Sequence, residues 1–533
     1  MNAFDHIKIN PPFATIAELW DARTQQHGTK TYLYFQDRAF DYTEMRAKIA
    51  QAAGMLRALG AQKGDHIALL IPNSPDFLFL WFGAMTAGYT AVTINTLLKA
   101  EELDFIINDC DARILVTTPQ FRKALEPVWV RLAKIQHVVL TTPDADFPQA
   151  RDLATELTGA AKFTAEDLAG GDKASMIYTS GTTGHPKGVL LSHANILYNS
   201  YVTHQMIDLE PVDTALCIMP LFHVNAQIAS MMSTLWAGAT VVLEDGFKPR
   251  SFIDTLKKYR CTTFSGVPTI YNFLNELNGS TSLTDQEASP DLSFLKACIC
   301  GAAPMPVEVF NRFEEKFKGK IIEGYGLSEG TCVSSLNPLR GKRKIGSIGI
   351  SIAGQEMAVA NANIEGRNEF LTDGEVGELV VRGPNVMQGY YKRDEANRAT
   401  LIDGWLHTGD LGYRDAEGYF YISGRKKEMI IQGGENIYPK EIEEVLYKHE
   451  AVSECAIVGI PDKKYGEVVG AFIIAKEGAS LSAADVRNYL REKIANYKMP
   501  KVIEFVTGFP KTATGKIQKN KIAEAYNQKK VGT

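Results

Sequence analysis

Short apolar runs of about five residues alternate with longer segments whose apolar positions recur every three or four residues, and this rhythm fills most of the chain. An unbroken apolar run bounded by turn residues fits a strand covered on both faces, so strands are expected at 66–71, 113–117, 137–141, 175–179, 240–243 and 297–300. The helical spacing falls between them, at 75–87, 251–258 and 306–317. Strand–helix alternation over most of the length predicts α/β layers with largely parallel sheets. Around 374–383 the texture changes to short strands with turns at Asp403-Gly404 and Glu417-Gly418, which predicts a β-rich subdomain. Past Gly424, helical spacing at 439–448 and 482–494 alternates with strands at 454–458 and 468–474, as in a compact α+β unit. The expected organisation is a large N-terminal domain over 1–423, a joint at 424–428 and a small, mobile C-terminal domain over 429–533.

Composition narrows the partners more than the fold. The 57 basic and 62 acidic residues leave a net charge of −5, which argues against nucleic acid, whose phosphates call for a basic footprint. Eleven Lys or Arg against four Asp or Glu after position 480 make one local exception, either a solvated face or a surface that meets phosphates. The seven cysteines are scattered without zinc-ligand spacing, so neither a disulfide framework nor structural zinc is expected. Residues 1–12 have no basic stretch leading into an apolar one, and no apolar run reaches the ~18 residues of a spanning helix. A cytoplasmic protein without an integral membrane part is expected, as a monomer or a homodimer.

The most informative stretch is Tyr178-Thr-Ser-Gly-Thr-Thr-Gly-His-Pro-Lys-Gly188, after a predicted strand and before the helical segment near His193. Its glycines permit close backbone approach, its hydroxyls donate hydrogen bonds and Lys187 adds charge, a combination suited to phosphate oxygens. It is not a Walker A loop, because Lys187 lies six residues after Gly181 and Pro186 stands where the second glycine belongs. The stretch resembles the phosphate loop of the AMP-forming acyl-activating family, which includes acyl-CoA synthetases, luciferases and the adenylation domains of peptide synthetases. Further motifs follow in that family's order: Gly301-Ala-Ala-Pro304, Glu323-Gly-Tyr-Gly-Leu-Ser-Glu-Gly330, Gly404-Trp-Leu-His-Thr-Gly-Asp-Leu-Gly412, Gly424-Arg-Lys-Lys-Glu-Met-Ile430 and Pro510-Lys-Thr-Ala-Thr-Gly-Lys516.

The resemblance implies a role for each of these residues. Thr179, Ser180, Gly181, Thr182, Thr183, Gly184 and Lys187 would cradle the phosphates of ATP. Gly301, Ala302 and Ala303, with Glu323, Gly324, Tyr325 and Gly326, would line the adenine, and Asp410 with Arg425 would hold the ribose. Glu329 and Thr182 would hold Mg²⁺, a hard cation that takes oxygen ligands. Lys516 would bridge the carboxylate and the α-phosphate, offsetting repulsion that grows in the transition state. Lys427 matches the hinge. Gly433 and Gly434 match the strand lining the pantetheine tunnel, where a side chain at Gly434 would narrow the channel.

The implied reaction is attack of a carboxylate on ATP to give an acyl-adenylate and pyrophosphate, then capture of the acyl group by coenzyme A. Met219-Pro-Leu-Phe-His-Val-Asn225 resembles the border of the acyl pocket, with His223 as a gate beside Val224 and Asn225. Amino-acid-activating relatives place an aspartate where His223 stands, so a free α-amino acid is not expected. Gly266, Val267 and Thr331 would supply further wall, and their neutral character points to an uncharged fatty or aryl tail. Loading of a carrier-protein thiol is an alternative within the class. A catalytically silent nucleotide-binding protein is the alternative outside it, and the presence of Lys516 argues against that reading.

Overall fold

The computed structural model describes residues 3–531 except 148, 160–162, 164–166, 180–185, 277–291, 304, 365, 434 and 513–515. Its α/β core consists of two large sheets. In the nine-stranded sheet, Ile321–Tyr325, Ala297–Cys300, Thr263–Gly266, Thr214–Cys217, Thr240–Leu243 and Thr31–Phe35 lie side by side in parallel. The eight-stranded sheet runs in parallel from Lys173–Thr179 through Thr90–Thr93, His66–Leu70, Ile114–Thr117 and His137–Leu140 to Arg151–Asp152. These strands read as continuous apolar runs because helices cover both faces of a parallel sheet. One core joins the sheets, with Leu33, Leu216 and Val241 of the first in the same cluster as Ile67, Ala91 and Val116 of the second.

Helix Pro75–Thr86 shows how the sequence sets the packing. Ser74 caps it by accepting from the Phe77 amide, Pro75 occupies the first turn, and every residue but Asp76 is buried. A helix apolar on all sides belongs inside a core, and Trp81 and Phe82 are fully buried there.

A five-stranded antiparallel sheet follows, with Gly377–Arg382 between Glu356–Ala360 and Trp405–Arg414, and Phe420–Arg425 paired to the last of these. The next strand, Ile430–Gln432, belongs to a separate five-stranded sheet with Glu435–Ile437, Gly466–Ala475, Val452–Asp462 and Val502–Phe505. Its core includes Ile442, Leu446, Val486 and Leu490, the apolar faces of helices Pro439–Tyr447 and Ala483–Arg491.

Strands 240–243 and 297–300 lie where the pattern puts them, and the other expected elements differ mainly at their ends. The neighbourhood of the phosphate loop differs in kind. Strand Lys187–Ser192 pairs antiparallel with Lys173–Thr179, so a second strand of a hairpin intervenes before helix His193–Met206 begins. All seven cysteines are buried and free, Cys298 and Cys300 within a core strand. Among the described residues no helix is long and apolar enough to cross a membrane.

Candidate active site

A cavity of about 300 Å³ opens between the C-terminal ends of the nine-stranded sheet and the C-terminal unit. Val267, Ala302, Ala303, Glu323, Gly324, Tyr325, Gly326, Asp410, Arg425 and Lys516 all line it. Open parallel sheets present loops at those strand ends, where ligands bind in such folds. Strands Thr263–Gly266, Ala297–Cys300 and Ile321–Tyr325 each end there, so residues far apart in sequence converge. Gly326 permits the tightest approach. A Cβ at that position would stand 1.4 Å from the Cys332 carbonyl oxygen.

Tyr325, Asp410 and Arg425 form one bonded group. The Tyr325 hydroxyl donates to Asp410 Oδ2 at 2.7 Å, and Arg425 Nε forms an ion pair with Asp410 Oδ1 at 2.9 Å. The pairing follows from the sheet, whose register puts Asp410 opposite Arg425. Each carboxylate oxygen keeps a second lone-pair direction, so Asp410 is fixed in place and can still accept from two hydroxyls. The adjacent Asp410 carboxylate raises the Arg425 guanidinium above its usual range. Burial, and next the charge of Arg425, hold the Lys516 ammonium below the ordinary lysine range. Lys516 is anchored through its backbone. Its amide donates to Thr512 Oγ1 at 3.1 Å and its carbonyl accepts from the Thr512 amide at 2.8 Å.

A second group lies beside the phosphate hairpin. The Tyr390 hydroxyl donates to Glu329 Oε1 at 2.9 Å, and Lys187 Nζ stands 4.9 Å from the centroid of the same ring. Thr179 and Lys187 face each other across the hairpin, and Tyr390 pairs with Val189 on its far strand. Burial raises the Glu329 carboxyl above the glutamate range. A single carboxylate of this kind suits Mg²⁺, which is held by one or two carboxylates plus substrate phosphates. Among the described residues no group of three or more His, Cys, Asp or Glu is placed to hold a metal ion. Tyr390 escaped the sequence reading; an aromatic residue after glycine carries no chemical signal until the fold brings it to Glu329.

His223 precedes a π-helix over Asn225–Met232, a rare form that recurs at functional sites. His223 Nε2, Asn225 Oδ1 and Ser265 Oγ are buried without hydrogen-bond partners among the described residues. Burial pushes the His223 imidazole down to about 4, so it is neutral near pH 7. Thr331 is buried in a left-handed conformation (φ 69°), a costly one for a β-branched residue, and its hydroxyl donates to the Asn385 carbonyl at 2.5 Å.

Some expected members lie elsewhere. Ser180, Gly181, Thr182, Thr183, Gly184 and Gly434 lie outside the described residues. Gly433 (φ 61°) sits in an exposed turn between Ile430–Gln432 and Glu435–Ile437, beside Tyr465, and does not line the cavity. Burial, then Lys187 and Arg425, depress the Lys427 ammonium. The basic C-terminal stretch is partly neutralised within its own unit, with Lys498 paired to Glu441, Lys511 to Glu454 and Lys519 to Glu443.

Two family models match this chain, the AMP-binding enzyme model over residues 20–391 and the AMP-binding enzyme C-terminal domain model over 441–516. The chain belongs to the AMP-binding enzyme family. Among relatives in that family, a long-chain-fatty-acid–CoA ligase of Bacillus subtilis (strain 168) is 35% identical, the alignment covering 96% of this chain and 95% of that protein. A feruloyl-CoA synthase of Amycolatopsis sp is also 35% identical, over 92% and 94%. The ATP-bound crystal structure of MatB from Rhodopseudomonas palustris matches with a TM-score of 0.87 at 29% identity, covering 96% of this chain and 99% of that one. The AMP-binding family's two-part fold is therefore the fold seen here.

Proposed function

We propose that the cavity is the active site of an AMP-forming acid–coenzyme A ligase with the residue roles that follow. The enzyme converts a carboxylic acid and ATP to an acyl-adenylate and pyrophosphate, then transfers the acyl group to the thiol of coenzyme A with release of AMP. The observation that carries the assignment of roles is the Tyr325–Asp410–Arg425 group, bonded within one cavity that Lys516 enters from the C-terminal unit. Asp410 takes the ribose hydroxyls, the Tyr325 ring lies against the adenine, and Lys187 with the hairpin loop holds the outer phosphates. Lys516 stands between the attacking carboxylate and the α-phosphate, where a cation stabilises the charge that gathers in the transition state. Mg²⁺ held by Glu329 and the phosphates would supply charge neutralisation of the departing pyrophosphate.

The unit over 429–533 turns about a hinge at 424–428, centred on Lys427, and brings Gly433 and Gly434 to the cavity for the thioester step. His223, Val224, Asn225, Gly266, Val267 and Thr331 border the acid, and their lack of charge at neutral pH favours a neutral fatty or aryl tail. The enzyme acts in the cytoplasm.

Half-reactions test the assignment. Lys516→Ala should abolish acid-dependent pyrophosphate exchange yet still form thioester from supplied acyl-adenylate and coenzyme A. Gly434→Leu should do the reverse. Loss of both half-reactions in either variant contradicts the division of roles.

A further inference from the structure

Lys440 breaks a local rule. It is the second residue of helix Pro439–Tyr447, directly after Pro439, in the first turn where the helix dipole favours acidic side chains and disfavours a cation. A residue set against its local preference is compensated elsewhere or serves another purpose. The Lys440 ammonium donates to the carbonyl of Ile422 at 2.9 Å. Ile422 lies on strand Phe420–Arg425, before the joint, whereas Lys440 lies after it. The bond therefore crosses the joint. Glu444, one turn along the same helix, is 3.4 Å from the ammonium, and the Lys440 side chain is only 15% exposed.

Glu323, itself 4% exposed, lines the same cavity as Lys440. Its Oε1 accepts a long 3.5 Å bond from the Met305 amide, and its Oε2 has no hydrogen-bond partner among the described residues. Burial raises this carboxyl to about 7, and the charge of Lys440 is the largest influence acting the other way. A cation on the C-terminal unit thus shares a cavity with a poorly solvated acid on the N-terminal part.

The same helix is tied to the catalytic lysine's segment. Glu443 accepts an ion pair from Lys519 at 2.7 Å and a hydrogen bond from the Ile457 amide at 2.8 Å. Lys519 lies three residues beyond Lys516 and starts helix Lys519–Val531. Where Lys440 seats the first turn of its helix, Glu443 passes that placement to the segment that carries Lys516.

We propose that Lys440 is a positioning residue, docking the C-terminal unit in the orientation that forms the adenylate by bonding the Ile422 carbonyl across the joint and sharing the cavity with Glu323. This rests on the reading that the unit alternates between two half-reactions. Lys440 then shifts the balance of orientations without touching the reacting atoms, and an element biased in this way changes the two half-reactions in opposite senses.

The test compares Lys440→Met and Lys440→Arg with the parent enzyme. Lys440→Met should slow acid-dependent pyrophosphate exchange by about tenfold, the size of an ordinary coupling between two states, while thioester formation from supplied acyl-adenylate is kept or rises. Lys440→Arg, which keeps charge and donors, should recover most of the exchange. A second measurement reads orientation without chemistry. Because the natural cysteines are buried, dyes placed at V212C and E477C, both exposed positions on opposite sides of the joint, label selectively. With Mg·ATP, Lys440→Met should redistribute the inter-dye distances and Lys440→Arg should not. Equal loss of both half-reactions, or an unchanged distance distribution, overturns the proposal. An enzyme with normal exchange that never acylates coenzyme A overturns the ligase reading instead, and the dye distances still decide the role of Lys440.

Discussion

The Tyr390 hydroxyl donates to Glu329 Oε1 at 2.9 Å while the face of the same ring stands 4.9 Å from Lys187 Nζ. One phenol thereby joins the carboxylate proposed to hold the metal to the lysine proposed to hold phosphate. Its backbone is fixed in turn, since the Tyr390 amide donates to Asn397 Oδ1 at 2.6 Å and Asn397 Nδ2 donates back to the Tyr390 carbonyl at 3.0 Å. An aromatic face attracts a cation most where water is excluded. The ring so placed restrains Lys187 without consuming its donors.

Tyr390→Phe removes the bond to Glu329 and keeps the ring under Lys187. The adenylation rate should fall by roughly tenfold, the scale of one lost bond to a charged group. The concentration of Mg²⁺ giving half-maximal exchange should rise, and the KM for the acid should stay where it was. A pyrophosphate-exchange titration of Mg²⁺ checks this. A variant with unchanged metal dependence removes Tyr390 from the account.

The lowered Lys516 ammonium should set the alkaline limb of the proposed first half-reaction. Lysine is charged below its pKa, so exchange should be retained at neutral pH and fall as pH rises through a value under the ordinary lysine range. Lys516→Arg, whose guanidinium does not deprotonate, should be slower but should lose that limb. The pH profile of exchange for the two proteins decides the matter. A limb that survives in Lys516→Arg belongs to another group.

Gly326→Ala puts a methyl group onto the Cys332 carbonyl, where no side chain can yield, because the obstruction is backbone. The strand that carries Tyr325 must shift, so Asp410 loses its bond from Tyr325 and keeps only Arg425. The variant should unfold at lower denaturant and lose ATP binding by at least tenfold, on the order of 1.4 kcal/mol. Equilibrium denaturation with nucleotide titration provides the check.

Glu323 should cost the fold stability at neutral pH. Its carboxyl titrates near 7 when folded, against roughly 4.3 in an unfolded chain. Below the unfolded value both states are protonated and nothing is lost. Between the two values only the unfolded chain ionises, so stability declines, and above 7 the full penalty stands. Glu323→Gln should therefore be more stable than the parent at pH 8, by roughly 4 kcal/mol, and indistinguishable from it near pH 4. Denaturant midpoints at the two pH values measure the difference.

The layered α/β architecture was legible because parallel strands buried on both faces write themselves as apolar runs, as at 240–243 and 297–300. Asp410, Arg425 and Lys516 were legible only through ordered motifs, since a lone acid after glycine or a lysine in a loop carries no chemistry of its own. Strand Lys187–Ser192 was missed because its apolar core, 189–191, is short and lies hard against the following helix. Tyr390 and Lys440 were illegible for a different reason. Their meaning lies in contacts with Glu329, 61 residues away, and with a backbone carbonyl, which has no side-chain signature at all.

The most direct measurement is pyrophosphate release from Mg·ATP against aliphatic, aryl and dicarboxylic acids, with and without coenzyme A. Release that depends on an uncharged fatty or aryl acid, accelerates with coenzyme A and yields the thioester is the predicted result. Adenylate that accumulates and never passes to coenzyme A, or no release with any acid, contradicts the account.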